Sequence, residues 1–296
     1  MAGILSIGML PEDCVSTILS LTTPSDVGRL SVVSSAFRSA AESDVVWGRF
    51  LPNNYAHILA AADISGESPF CSKREIFFRL CSPLLLDGGK KSLELEKISA
   101  KICYTLSARE LSISWSSDPL CWSWKNHSHS RFAEVAELRT VSWLEISGKI
   151  RTKTVSSNTL YGAYLLVKIS DRAYGLDLVP AQVCVQVGDG AQAQVSEGSV
   201  WLQRKDKKKE DIECLFYGNR RERVRKLVGN GEKMEENGSI RVLKEREDGW
   251  LEIELGEFFS GENGTDEEVK MSLMEIKGFQ LKAGLVLQGI QIRPKH

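Results

Sequence analysis

Residues able to do chemistry are sparse in this chain. His127 and His129 stand two apart in a polar stretch, and the other two of its four histidines, His57 and His296, are far away in sequence. No Cys or carboxylate cluster accompanies the pair at ligand spacing, so no metal is expected. Glu145, Glu252 and Glu254 fall on alternating positions of strand-like runs, where solvent exposure is the default and acid–base work has no support. There is no Gly-x-Ser-x-Gly elbow. A Cys–His nucleophile would be assembled only by the fold, and the sequence leaves it open. Asp87-Gly88-Gly89-Lys90-Lys91-Ser92 is loosely like a phosphate loop, but the earlier glycine is missing and Gly89-Lys90 is followed by Lys91, not Ser or Thr. The expectation is a non-enzyme with no catalytic residues and no cofactor, and attention moves to binding.

The scaffold for such binding is ordinary. At 296 residues the length prior is roughly two domains. The apolar and charged fractions, 42% and 26%, are those of a globular chain able to bury a core unaided. A net charge of −1 argues against nucleic acid or anionic lipid as the partner. The basic run Arg204–Lys209 is interrupted by Asp206 and closed by Glu210 and Asp211, which fits a solvated turn, with a nuclear-import patch as the alternative. No apolar stretch is long enough to span a membrane, and Met1–Leu10 lacks the basic start of a secretory signal. Seven scattered cysteines without a Cys-x-x-Cys pair suggest reduced thiols. The Asn126-His127-Ser128, Asn237-Gly238-Ser239 and Asn263-Gly264-Thr265 triplets should then stay unmodified, and cytoplasm and nucleus are the expected compartments.

The first part reads as short helices. Pro11, Glu12 and Asp13 suit a helix start, and Cys14, Val15, Ile18, Leu19 and Leu21 form its apolar stripe. Pro24 starts a second helix with Val27, Leu30 and Val33 as its buried face, and a third element holds Phe37, Ala40 and Ala41. Ser43-Asp44 caps a turn presenting Val45, Trp47, Phe50 and Leu51. Helices this short are marginal alone, which points to a docking element completed by another surface. Residues 53–92 form a helical connector, with Ile58, Leu59, Ile76, Phe77, Phe78 and Leu80 as core candidates and a turn at Asp87–Ser92. From 93 the period becomes two: Leu111–Trp115 and Trp143–Ile150 alternate, and strands are expected at 161–169, 182–187, 199–203, 212–217, 239–243, 250–255, 269–276 and 284–292. The class is α+β, a small helical module followed by an antiparallel, jelly-roll-like β-sandwich.

Leu10-Pro11-Glu12-Asp13-Cys14-Val15, the Ile18-Leu19 pair, Pro24-Ser25-Asp26, Leu30 through Ala41 and Trp47 resemble an F-box over residues 1–52. Phe37 stands where many F-boxes carry Trp. Lys101 through Trp115, Tyr164–Lys168, Trp250–Phe259, Ile276–Phe279 and Gly289–Pro294 resemble the phloem protein 2-like domain, related to the tobacco agglutinin type of lectin, over 93–296. The two in this order are similar to plant F-box proteins of the phloem protein 2-like B group.

The F-box resemblance implies docking on the Skp adaptor, and through it a cullin ligase of the SCF type, by Leu10, Pro11, Ile18, Leu19, Pro24, Leu30, Val33 and Trp47. The sequence does not divide these between core and interface. The second resemblance implies capture of a glycoprotein or protein substrate, with an N-glycan-type carbohydrate as one ligand. Trp115 and Trp122 resemble the two tryptophans at the lectin site, and Trp124, Lys125, Asn126 and His127 stand beside them on the expected loop. An aromatic ring there would take the apolar face of a pyranose. A lectin working without a ligase is the rival reading, and a jelly-roll hydrolase the remote one.

Overall fold

The computed structural model describes residues 10–62, 72–189, 193–202, 239–262, 264, 266–277 and 280–296. The expected strand at 212–217, the basic run at 204–209, Cys71, Cys214, Asn237 and Asn263 lie outside the described residues.

The helical part is α1 (Glu12–Ser20), α2 (Pro24–Leu30), α3 (Ser35–Glu42), α4 (Asp44–Phe50), α5 (Tyr55–Ala61) and α6 (Lys73–Leu80). Short polar residues start them. Side-chain oxygens of Thr23, Ser34, Ser43 and Ser72 accept from the backbone N–H of Asp26, Phe37, Val45 and Glu75, at 3.2, 3.3, 3.3 and 3.2 Å. Each bond supplies an acceptor to one of the orphan donors of a first turn. Val15 and Leu19 turn the α1 stripe inward against α3 and α4. Trp47 is the hub: its indole N–H donates to Ala41 O at 2.7 Å, and its ring lies 5.1 Å from Phe77 and 5.8 Å from Phe50. Thus α4 and α6, far apart in sequence, share one aromatic joint, and α6 leads the core onward into the sheet.

The sheet domain begins earlier than the period-two signal. β1 (Leu84–Leu86) pairs with β2 (Lys91–Leu95), so the 53–92 segment is a helical connector only as far as Leu80. Three consecutive leucines carry no alternation, which is why the strand is invisible to pattern reading. The turn between them is the expected one, with Asp87, Gly88 and Gly89 at φ 51°, 65° and 82°, a left-handed path that suits Asp and Gly.

Two sheets follow. The nine-stranded sheet runs β1-β2-β3-β15-β8-β13-β12, with β6 also on β15 and β5 on β6; the six-stranded sheet runs β11-β10-β9-β14-β7-β4. Their strands are β3 (Ile102–Ser107), β4 (Ser112–Ile113), β5 (Trp122–Lys125), β6 (Val135–Leu138), β7 (Leu144–Arg151), β8 (Leu160–Tyr174), β9 (Ala181–Val187), β10 (Gln194–Val200), β11 (Ser239–Arg241), β12 (Lys244–Glu245), β13 (Leu251–Phe259), β14 (Glu268–Glu275) and β15 (Ala283–Pro294). Among the described strands all pairs are antiparallel except β10 with β11. The sheets pack closely face to face. A methyl added at Gly148 on β7 would stand 3.1 Å from Ile290 and 3.3 Å from Leu106 across the core. On the nine-stranded sheet Glu252 accepts from Arg293 at 2.7 and 2.8 Å and from Arg246 at 3.3 Å. Burial raises the Glu252 carboxyl pKa, but bonding to the two arginines outweighs it and holds the group below its ordinary value.

Leu111–Trp115 is not the strand its alternation predicts. Only Ser112 and Ile113 pair, with β7, and the chain then turns through Trp115 at φ 65°. Alternation reports which side faces the core, not how far a ladder continues.

Candidate functional site

Two surfaces concern function, and the first is on the helical module. The structure divides the expected adaptor residues. Leu19, Pro24 and Trp47 are buried in this chain's own core, and Leu30 is half-buried. Leu10 and Pro11 are exposed, Ile18 is 47% exposed and Val33 65%. Val33 therefore leaves the face it was expected to share with Val27. It lies past the end of α2, in the turn before Ser34 caps α3, where helical spacing no longer predicts direction. Val32 is 75% exposed although no apolar pattern marks it, and Leu21, expected in the α1 stripe, is exposed as well. Along α1 and its C-cap, Cys14, Ile18 and Leu21 recur at helical spacing on a face adjoining buried Val15 and Leu19. The helix is apolar on two sides, and among the described residues one of them stays exposed. That excess was legible as an apolar stripe too wide for a nine-residue helix.

The second surface surrounds the tryptophans. Trp122 and Trp124 lie on strand β5, not on a loop; the hairpin partner β6 supplies Leu138 and Ala136 opposite them. Spaced two apart, they share one face. Their indole N–H groups donate to Ser114 O at 3.0 Å and Ser116 O at 3.3 Å, so both rings staple the loop that precedes β5. Turn bonds tighten that loop: Ser116 N–H to Ile113 O at 3.2 Å, Asp118 N–H to Trp115 O at 3.0 Å, and Leu120 N–H to the Asp118 carboxylate at 2.8 Å.

The consequence separates the two expected site tryptophans. Trp122 is 2% exposed and belongs to the core, whereas Trp115 is 60% exposed at the loop's tip. A bulky residue in the left-handed region costs about 1–3 kcal/mol and is tolerated where the surroundings determine it, here the stapled loop. Trp124 is half-buried with the Arg109 guanidinium 3.6 Å above its ring, and Arg109 is itself paired to Glu134 at 2.7 Å. Lys125 pairs with Glu137, and Asn126 is exposed beyond the strand.

Between the stapled loop and the hairpin lies an open groove of about 450 Å³. Ser116, Ser117, Pro119, Ser123, Trp124 and the edge of Trp122 line it, with the exposed Arg109 and Arg139 at the rim. Hydroxyls, an indole and guanidinium groups without a general base suit recognition more than turnover. His127 and His129 do not join it. His127 lies 5.2 Å from the buried Trp250, whose indole donates to His129 O at 2.8 Å. Burial, then the charges of Lys168 and His129, push the His127 pKa below its ordinary value. Among the described residues no three His, Cys, Asp or Glu side chains gather as metal ligands. Burial pushes the Cys103 thiol up to about 12 and Cys81 up to about 11, the opposite of an activated nucleophile. No described helix is long and apolar enough to cross a membrane.

Known proteins share this organisation. The family described as Phloem protein 2 matches residues 101–294, and the F-box-like family matches residues 7–52. The Arabidopsis thaliana F-box protein PP2-B15 is 47% identical over 291 residues, covering 97% of this chain and 96% of that protein. F-box protein VBF of the same plant is 47% identical, covering 97% and 99%. F-box protein PP2-B13, also from that plant, is 48% identical, covering 97% and 98%. Among solved structures a Podospora anserina GH26-CBM35 β-(1,4)-mannanase overlays 66% of this chain and 28% of that chain at 9% identity and TM-score 0.31, too loose to bear on fold or function.

Proposed function

We propose that this chain, which belongs to the F-box proteins carrying a phloem protein 2 domain, is the substrate-recognition subunit of an SCF-type ubiquitin ligase. Its helical module docks on the Skp adaptor and through it on a cullin, while the sandwich holds the target. The observation that carries this reading is the exposed apolar side chains of the module, Ile18, Leu21, Val32 and Val33 among them, beside its buried core. Such a face is what a helix-in-groove partner covers. Ubiquitin transfer then belongs to other subunits, and this chain contributes proximity. Such a complex would work in the cytoplasm and nucleus.

The test is co-purification of the full chain with a plant Skp adaptor, beside Ile18→Glu and Val33→Glu variants. A stoichiometric complex that either charge abolishes supports the reading. No complex from the wild-type chain sinks it and favours a lectin acting without a ligase.

We further infer that the sandwich reads a glycan on its target, supported by the groove with Trp115 exposed near its Ser116 and Ser117 wall. An exposed indole held by a stapled loop offers a rigid platform for the apolar face of a sugar. Trp115→Ala should then lose glycan-array signal without loss of adaptor binding. Array signal that survives this change would count against the platform.

A further inference from the structure

We propose that the groove selects saccharides bearing a carboxylate, such as a hexuronate, and that Arg139 is the cation that holds it; this rests on the glycan reading just given. The electrostatics of the rim carry the argument. Two guanidinium groups border the groove, and no carboxylate lines it. They are not equivalent. Arg109 lies flat on Trp124 and is neutralised by Glu134, with its Nε at 2.8 Å and a terminal nitrogen at 2.7 Å from one carboxylate oxygen. Arg139 has no carboxylate within ion-pair distance among the described residues. Its one side-chain bond there is from Nη1 to Pro119 O at 3.1 Å.

That bond matters, because it orients the guanidinium without neutralising it. The Arg139 backbone is fixed as well, its N–H donating to Cys121 O at 2.8 Å. The acids nearest the hairpin are already engaged: Glu137 pairs with Lys125 and accepts from Ser123 at 3.4 Å. Asp118 accepts from the Leu120 N–H within its own turn, at 2.8 Å. Asp118 keeps its charge but does not line the groove, so among the lining residues the unpaired charge is the positive one on Arg139, a positioned group with donors left over. A guanidinium fork matches the planar geometry of a carboxylate. The remaining wall, three serine hydroxyls, a proline ring and two indoles, is that of a sugar site and not of a bare anion site. A free acidic peptide would use the charge but not the wall.

The experiment titrates the full chain calorimetrically with trigalacturonic acid, with its fully methyl-esterified form, and with a neutral high-mannose glycan. The acid should bind about tenfold more tightly than its ester, the ratio of one charge-assisted pair at an exposed site. That ratio should collapse towards one in Arg139→Gln, which keeps a donor for Pro119 O, and survive in part in Arg139→Lys. A thermal melt of each variant separates loss of the charge from loss of the fold. Equal binding of acid and ester overturns the proposal and leaves the glycan reading standing, as does binding of the neutral glycan alone. Absence of binding to all three overturns both. Competition by an oligoglutamate as strong as the acid's own binding also overturns it, because charge alone would then explain the site.

Discussion

The helical module and the sandwich solve the same burial problem to different degrees. In the sandwich, large side chains such as Trp250, Tyr161 and Phe258 are fully enclosed, and the charged groups on one sheet answer each other, as in the Glu252–Arg293 pair. In the module, helices of seven to nine residues have more apolar surface than their small core can take, and Ile18, Val32 and Val33 remain outside. The sandwich is closed around its core, whereas the small module keeps these apolar side chains exposed. The joint between them is solid, running through Trp47, Phe77 and Leu80 into Leu84 in one continuous core.

The largest expected effect tests the sandwich. Phe258→Ala removes a buried ring stacked 5.7 Å from Tyr161 and should cost about 3–5 kcal/mol in urea unfolding. Leu19→Ala should likewise cost about 2–5 kcal/mol, because Leu19 is fully buried. Its neighbour Ile18→Glu should stay within about 0.5 kcal/mol of wild type in stability. The same change should weaken adaptor binding by at least about 2 kcal/mol, the size of an interface hot spot. If Ile18→Glu unfolds the chain as Leu19→Ala does, the exposed side belongs to the core and the contrast fails.

Smaller effects sharpen it. Ser34→Ala deletes the α3 cap and should cost about 1 kcal/mol. Smallest is the acid response of the sandwich rim. Hydrogen bonds from Arg151 and then Lys153 hold the Asp266 carboxyl at about 2. Its folded pKa is depressed, so its contribution is present above the unfolded value of about 3.9 and is lost as pH falls through the folded value of about 2. Asp266→Asn should flatten the melting-temperature profile in that window and leave neutral-pH glycan and adaptor binding alone.

Much of this was legible in the residues. The alternation at 250–255, 269–276 and 284–292 lies within or across β13, β14 and β15, and Pro24 opens α2 as its ring favours. β3 was hidden because all six of its residues are buried, so nothing alternates. β5 was read as loop because Trp-Ser-Trp-Lys carries turn-like neighbours, and hairpin pairing overrode them. The two site tryptophans were recognisable as aromatic, but which one faces solvent depended on backbone bonds to Ser114 and Ser116 that no spacing rule contains. Buried and exposed aliphatic residues in the module are likewise alike in chemistry, and only enclosure tells Leu19 from Ile18.

The placement of β15 has a consequence in time. Tyr104 of β3 pairs with Ile292 of β15, its partner across most of the sandwich's sequence. A ribosome adding about 5–20 residues per second keeps β3 waiting many seconds for that partner, with its edge open. The helices α1 to α4 touch one another locally and need none of this delay. During synthesis the helical module can therefore complete its local contacts while the sandwich is still half a sheet.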